Sequence, residues 1–313
     1  MVYSMGIPTV GGGVPTTFGN YWFVDSDNGS DGNSGKSADK AFATTDKAIT
    51  SATTNNHDVV CFSGNSAHVQ TDQITLTKNR IHFVGLGGGS RYYGQRTRIT
   101  MGVTTGTATA VIQNTGVGNT FTNIKFDSSD TLSTSVYAFA EGGEYSQFTN
   151  CEFYKSTDLD QSAAAELLMN GDSSYFKNCT FGSNANAVTA TGARPCVLLT
   201  RETITGKVCR DATFEDCLFW RQADGATANS FVHSAGATDV ERMLLFKNCL
   251  FYSDVTSAYT PAVAVSAAAT LTVGRIVLMN SYEVGCTALA TATGIWSANA
   301  TLAAAGGSAL QAT

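Results

Sequence analysis

Five stretches of the chain repeat one pattern: FTNIKFDSS from 121, FTNCEFYKS from 148, FKNCTFGSN from 176, FEDCLFWRQ from 214 and FKNCLFYSD from 246, with an echo, LMNSYEVGC, from 278. The leading Phe residues lie 27, 28, 38 and 32 positions apart, and the echo follows 32 later. A unit of that length is too short to be a domain. It suits one turn of a solenoid, stacked on identical neighbours, with the longer turns carrying side loops.

Within a copy, Cys151 and Phe153 are two apart and share one face of a strand, while Glu152 points the other way. Phe148 is out of phase with them, so the backbone must turn between Phe148 and Cys151. Asn150 is the residue for that bend, because Asn tolerates the left-handed conformation and satisfies backbone groups with its own amide. Each copy therefore reads as strand end, Asn corner, next strand. Stacking aligns Asn123, Asn150, Asn178, Asp216, Asn248 and Asn280 on one corner, with Cys151, Cys179, Cys217 and Cys249 inside and Phe126, Phe153, Phe181, Phe219 and Phe251 beside them. Amides repeated about every 4.8 Å can bond up and down such a column, and small thiols fill a narrow interior.

Composition agrees with short strands and many turns: 43% of residues are apolar, 14% are charged, and there are 31 Gly but only 4 Pro. The formal charge of −6 and the lack of a Lys/Arg cluster argue against nucleic acid. No apolar run reaches membrane-spanning length, and MVYSMGIPTVGGG has neither the basic nor the apolar region of a signal peptide, so folding in a cytoplasm is expected. The 8 cysteines, at 61, 151, 179, 196, 209, 217, 249 and 286, include four tied to the repeat and show no metal-ligand spacing, so no structural metal is expected.

The corner Asn column and the opening YWFVDSDNGSDGNSGKSADKAFATTDKAI resemble the right-handed parallel β-helix proteins of the pectate-lyase-like group, particularly those of tailed-bacteriophage virions. VVCFSGNSAHV, QITLTKNRIHFVGLGGGS and TRITMG resemble its early coils. The resemblance covers about residues 21–285. It implies an all-β fold, a single-stranded right-handed parallel β-helix with a short N-terminal capping α-helix at about 41–52. Residues 1–20 form an uncharged arm before it and 286–313 an uncharged, Ala-rich segment after it. Uncharged flanks are expected to be buried against another chain.

Chemistry has few footholds. Asp25, Asp27, Asn28 and Asp31 make an oxygen-rich run and a candidate Ca2+ loop, but the bidentate Glu and spacing of an EF-hand are missing, and such runs commonly form plain turns. Pectate lyases similar to this fold hold calcium with acids on an outward sheet and use an Arg as base, and the related hydrolases pair carboxylates. Here the outward motif position reads Lys125, Glu152, Thr180, Leu218 and Leu250, with Asp127 and Glu215 near the same corner, which builds no carboxylate pair. Arg201-Glu202 and Arg210-Asp211 mark a protruding loop in the 38-residue turn. His57, His68, His82 and His233 share no motif with a Ser or Cys, and His82 is expected to point outward. GLGGGS at 85–90 is a turn and not a nucleotide-binding loop. Trp22, Tyr92, Tyr93, Trp220 and Trp296 are candidate sugar platforms, though sparse aromatics more often serve core or interface.

The resulting expectation is a structural protein of a tailed-phage virion, assembled in the host cytoplasm and without a catalytic constellation. It would decorate or cement the capsid through its uncharged arms. The partners would be major capsid protein or other virion subunits, and the state a homo-oligomer, a trimer. The alternatives are a tailspike-type polysaccharide depolymerase or lyase and a non-catalytic adhesin for host surface glycan.

Overall fold

A computed structural model describes residues 9–10, 14–15 and 17–297, apart from 65–66, 91–93, 96, 103–107, 129–136, 156–163, 189–194, 203–205, 224–229, 254–262 and 291–293. Its strands form three long parallel sheets, one of ten strands and two of eight. The chain visits them in rotation. Tyr175–Lys177 lies in the ten-stranded first sheet, Thr180–Val188 in the second and Val197–Leu199 in the third, before Thr213–Glu215 returns to the first. Successive visits pair in register, Phe121 with Phe148, Phe148 with Phe176, Phe176 with Phe214 and Phe214 with Phe246. The fold is an all-β parallel β-helix.

The corner between the first and second sheets explains the repeat. Asn123, Asn150, Asn178, Asp216, Asn248 and Asn280 all have positive φ, between 48° and 58°. That one left-handed residue resets the side-chain alternation, so the Phe before it and the Phe after it both enter the core. Asn150 Nδ2 donates to Asn123 Oδ1, Asn178 Nδ2 to Asn150 Oδ1 at 3.3 Å, and Asn248 Nδ2 to Asp216 Oδ1 at 3.1 Å.

Two aromatic columns fill the interior. Phe83, Phe121, Phe148, Phe176, Phe214 and Phe246 stack with centroids 4.5–5.0 Å apart. Phe126, Phe153, Phe181, Phe219 and Phe251 stack at 4.7–5.3 Å. Between them run the thiols. Each Sγ donates to the Phe carbonyl of the preceding coil: Cys151 to Phe121 at 3.4 Å, Cys179 to Phe148 at 3.5 Å, Cys217 to Phe176 at 3.6 Å and Cys249 to Phe214 at 3.4 Å. Ser281 continues the column, its Oγ 3.2 Å from the Phe246 carbonyl.

The capping helix is shorter than the sequence suggests, Thr45–Ser51 instead of 41–52. Asp31 is the reason: its Oδ1 accepts from the backbone N–H of Ala43 and Thr44, both at 3.0 Å, and holds the approach to the helix extended. Thr44 then acts as N-cap, accepting from the Lys47 N–H at 3.2 Å. Ala48 and Ala52 pack on the end of the core, closing it. At the other end the strands run beyond residue 285, through Ala288–Ala290 and Ile295–Ser297. Of the expected arms, Thr9–Val10 pairs antiparallel with Val14–Pro15, and residues 298–313 lie outside the described residues.

Candidate functional site

The acidic N-terminal run is spent on local structure. Asp25 Oδ1 accepts from the N–H of Asp27 at 3.0 Å and Asn28 at 3.3 Å, and Asp31 is the helix-entry acceptor described above. These four residues thus form a turn and a cap. No cluster of three or more His, Cys, Asp or Glu with metal-holding geometry occurs among the described residues.

On the outward face of the second sheet, Arg98, Lys125 and Glu152 are register neighbours, as are Thr100, Asp127 and Tyr154. Asp127 and Glu152, two of the outward acids, are both buried. Lys125 Nζ lies 3.1 Å from Glu152 Oε1 and 4.1 Å from the centroid of the Tyr154 ring. Arg98 approaches Asp127 only to 3.9 Å, and Asp127, 4% exposed, has one oxygen, Oδ1, without a hydrogen-bond partner. Burial raises the pKa of Asp127, against the pull of Lys125 and Arg98. Farther along the same face come Trp220 and Tyr252, with ring centroids 6.1 Å apart.

Glu215 lies elsewhere. It precedes its Asn-type corner whereas Glu152 follows one, so the two acids face out from different sheets. Tyr175 Oη donates to its carboxylate and Lys247 Nζ sits 3.0 Å away, which together hold the Glu215 pKa below the usual range. The charges of the long turn also find partners: across coils Arg210 meets Asp172, Arg242 meets Asp211 and Arg201 donates to the Thr238 carbonyl at 3.2 Å, and within the turn Arg201 donates to the Gly206 carbonyl at 3.2 Å.

His82 does turn away from the Ile81 and Phe83 core, yet it is 3% exposed. The His57 ring lies over it at 5.3 Å, with Nδ1 of His57 3.0 Å from Nε2 of His82, and burial with the His57 charge pushes His82 down to about 4. His233, which shares no sequence motif with a Ser, meets one in space. Its Nδ1 lies 2.8 Å from Ser266 Oγ, which lies 2.8 Å from Ser230 Oγ. Among the sugar-platform candidates, Trp22 is covered by Lys36 Nζ at 3.4 Å and donates to Asp58 at 2.9 Å, while Trp296 is 62% exposed. Tyr92 and Tyr93 lie outside the described residues.

Glu141 and the Glu166–Arg221 pair are buried polar side chains. Glu141 sits inside the helix, accepting from Gly143 N–H at 2.9 Å, Ser146 Oγ at 3.0 Å and Asn114 Nδ2 at 2.9 Å. Burial outweighs these donors and lifts its pKa to about 7. Glu166 and Arg221, each 3% exposed at the side chain, form an ion pair between the third and second sheets. Near the C-terminal end of the first sheet, Met243, Val273, Met279 and Trp296 are exposed, with Leu245 and Val277 half-buried on the same outward face.

No family model matches the sequence, and a comparison with curated proteins found no match. Solved structures do match in fold. Pectin methylesterase from carrot shares 16% identity at a TM-score of 0.58, over 95% of this chain and 88% of its own. Pectin methylesterase from Aspergillus niger shares 15% at 0.57, over 91% of each. Pectate lyase Pel9A shares 13% at 0.51, over 91% of this chain and 79% of its own. The chain therefore has the right-handed parallel β-helix fold that these structures share. At this identity the likeness is one of fold alone.

Proposed function

We propose that this chain is a structural protein of a tailed-phage virion, a rigid β-helix that decorates or cements the capsid as a homotrimer. The observation that carries the reading is the division of its surface. Outward charges on the coils are tied up in cross-coil pairs, among them Lys125–Glu152, Arg210–Asp172 and Lys247–Glu215, which stiffen the rod. Exposed apolar residues include Met243, Val273, Met279 and Trp296 near the C-terminal end of the first sheet, and Phe18, Val69, Leu86 and Tyr145 elsewhere. Apolar surface of this kind suits burial against other subunits. The phage-like opening segment supports the same reading. Deleting residues 1–20 is expected to abolish association with particles while circular dichroism stays unchanged. Association that survives the deletion refutes the role of the arm.

A second reading, glycan binding or depolymerisation, is favoured by one place: the incompletely paired Asp127 carboxyl beside Glu152, with Tyr154, Trp220 and Tyr252 along the same face. Carboxylates and aromatic faces together suit sugar hydroxyls and ring faces. It predicts saturable binding of host capsule or lipopolysaccharide, weakened at least tenfold, about 1.4 kcal/mol, by Asp127→Asn. Shortened oligosaccharides would mark an enzyme, and equal binding by wild type and variant would remove this face from consideration.

A further inference from the structure

The outward face of the third sheet carries one continuous register column: Gln113, Ala140, Leu168, Leu198, His233 and Ser266. Its inward neighbours Ile112, Phe139, Leu167, Val197, Val232 and Val265 belong to the core, so alternation turns the column outward. Three successive apolar residues thus lead directly to a His and then a Ser.

We propose that Ser266 and His233 form a nucleophile–base pair for acyl esters, with half-buried Leu168 and the covered side chains of Leu198 and Ala140 next along the same column. The pair is in register on adjacent strands, Val232–Ser234 and Val263–Ala267, at 2.8 Å between Nδ1 and Oγ, within the reach a general base needs. Both side chains are half-buried, neither sealed in the core nor loose in solvent. Ser230, 2% exposed and 2.8 Å from Ser266 Oγ, fixes the hydroxyl from behind. The Ser266 hydroxyl donates to Ser230 Oγ and lies 2.8 Å from His233 Nδ1, so rotation about the Cβ–Oγ bond turns its proton to the base. Desolvation lowers the His233 pKa while Asp239 pulls it up, so the ring is neutral and able to accept at neutral pH.

The reaction balances without a cofactor. Ser266 Oγ bonds to the ester carbonyl carbon as its proton passes to His233 Nδ1. The bond from carbon to the leaving oxygen breaks, and that oxygen takes the proton from the imidazolium. Water then adds to the acyl-Ser266 ester, giving its proton to His233, and the carboxylic acid departs as the proton returns to Ser266. This activity is independent of the virion reading and survives its failure.

The test uses full-length protein, an alkyl fluorophosphonate and p-nitrophenyl butyrate. The expected result is one phosphonyl adduct, located on Ser266 by peptide mass spectrometry. Butyrate ester turnover should fall about a hundredfold in both Ser266→Ala and His233→Gln at unchanged melting temperature. The pH profile of labelling should stay flat down to the ordinary His value and fall only below it, which a merely structural hydrogen bond would not produce. Labelling of the unmodified protein stands even if a variant fails to fold. No adduct on Ser266, or turnover unchanged in Ser266→Ala, overturns the proposal.

Discussion

Replacing Phe181 by Ala removes one ring from the second aromatic column. Phe181 is fully buried, parallel to Phe153 at 4.8 Å and 4° and to Phe219 at 4.9 Å and 9°. It also meets Phe176 at 5.9 Å and Phe214 at 5.6 Å, ring edge against face. Truncating a buried Phe to Ala costs about 3–5 kcal/mol when the cavity cannot collapse. Collapse is blocked here, because the rings above and below are fixed to strands whose spacing the backbone ladder sets. Part of the loss is the two stacked pairs, each worth about 0.5–1.5 kcal/mol beyond area. We therefore expect about 4 kcal/mol, read as a shift in the urea midpoint at constant slope with tryptophan fluorescence as probe. The control is Val69→Ala on the outward face, where Val69 is 58% exposed, with an expected change within about 0.5 kcal/mol. A cost at Phe181 below about 1 kcal/mol, or one equal to the control, would refute the stacked core.

Three further perturbations probe the buried polar groups and the thiols. The folded pKa of Glu141, about 7 against an ordinary 4.5, means that its contribution is fully present below pH 4.5 and is lost as pH rises through 7. Between those values stability should fall by about 3 kcal/mol, and Glu141→Gln should flatten that decline in urea melts at pH 5 and pH 8. Arg221→Ala leaves the Glu166 carboxylate buried without its cation and should cost about 3–5 kcal/mol, whereas Arg221→Met with Glu166→Leu should recover most of it in the same assay. Cys179, fully buried with its pKa raised by desolvation, should resist thiol reagents until the protein unfolds; Cys179→Ala should cost about 1 kcal/mol and Cys179→Asp should prevent folding.

The parts of this fold legible in the sequence are those that stacking forces to recur. Asn150, Cys151 and Phe153 repeat because each contacts its own counterpart on the next coil, so contact and periodicity are one signal. Contacts between unlike residues leave no such trace. Glu166 meets Arg221 across 55 residues, and His233 meets Ser266 across 33, each pair once only. Burial on the outward faces was equally hidden: alternation gives the direction of His82 and Asp127 but not the neighbours, His57 and Arg98, that cover or approach them. The helix starts later than the sequence suggests because Asp31, 14 residues before Thr45, holds the approach to it extended.

The virion role is tested most directly by quantitative mass spectrometry of purified phage particles from the host culture that produces this chain, counting its copies per copy of major capsid protein. Capsid decoration or cementing predicts a ratio from one to one down to about one to a few, as repeated contact with a symmetric shell requires. A ratio of a few per hundred would contradict decoration and place the chain in a tail spike, and its complete absence from particles would contradict the virion reading altogether.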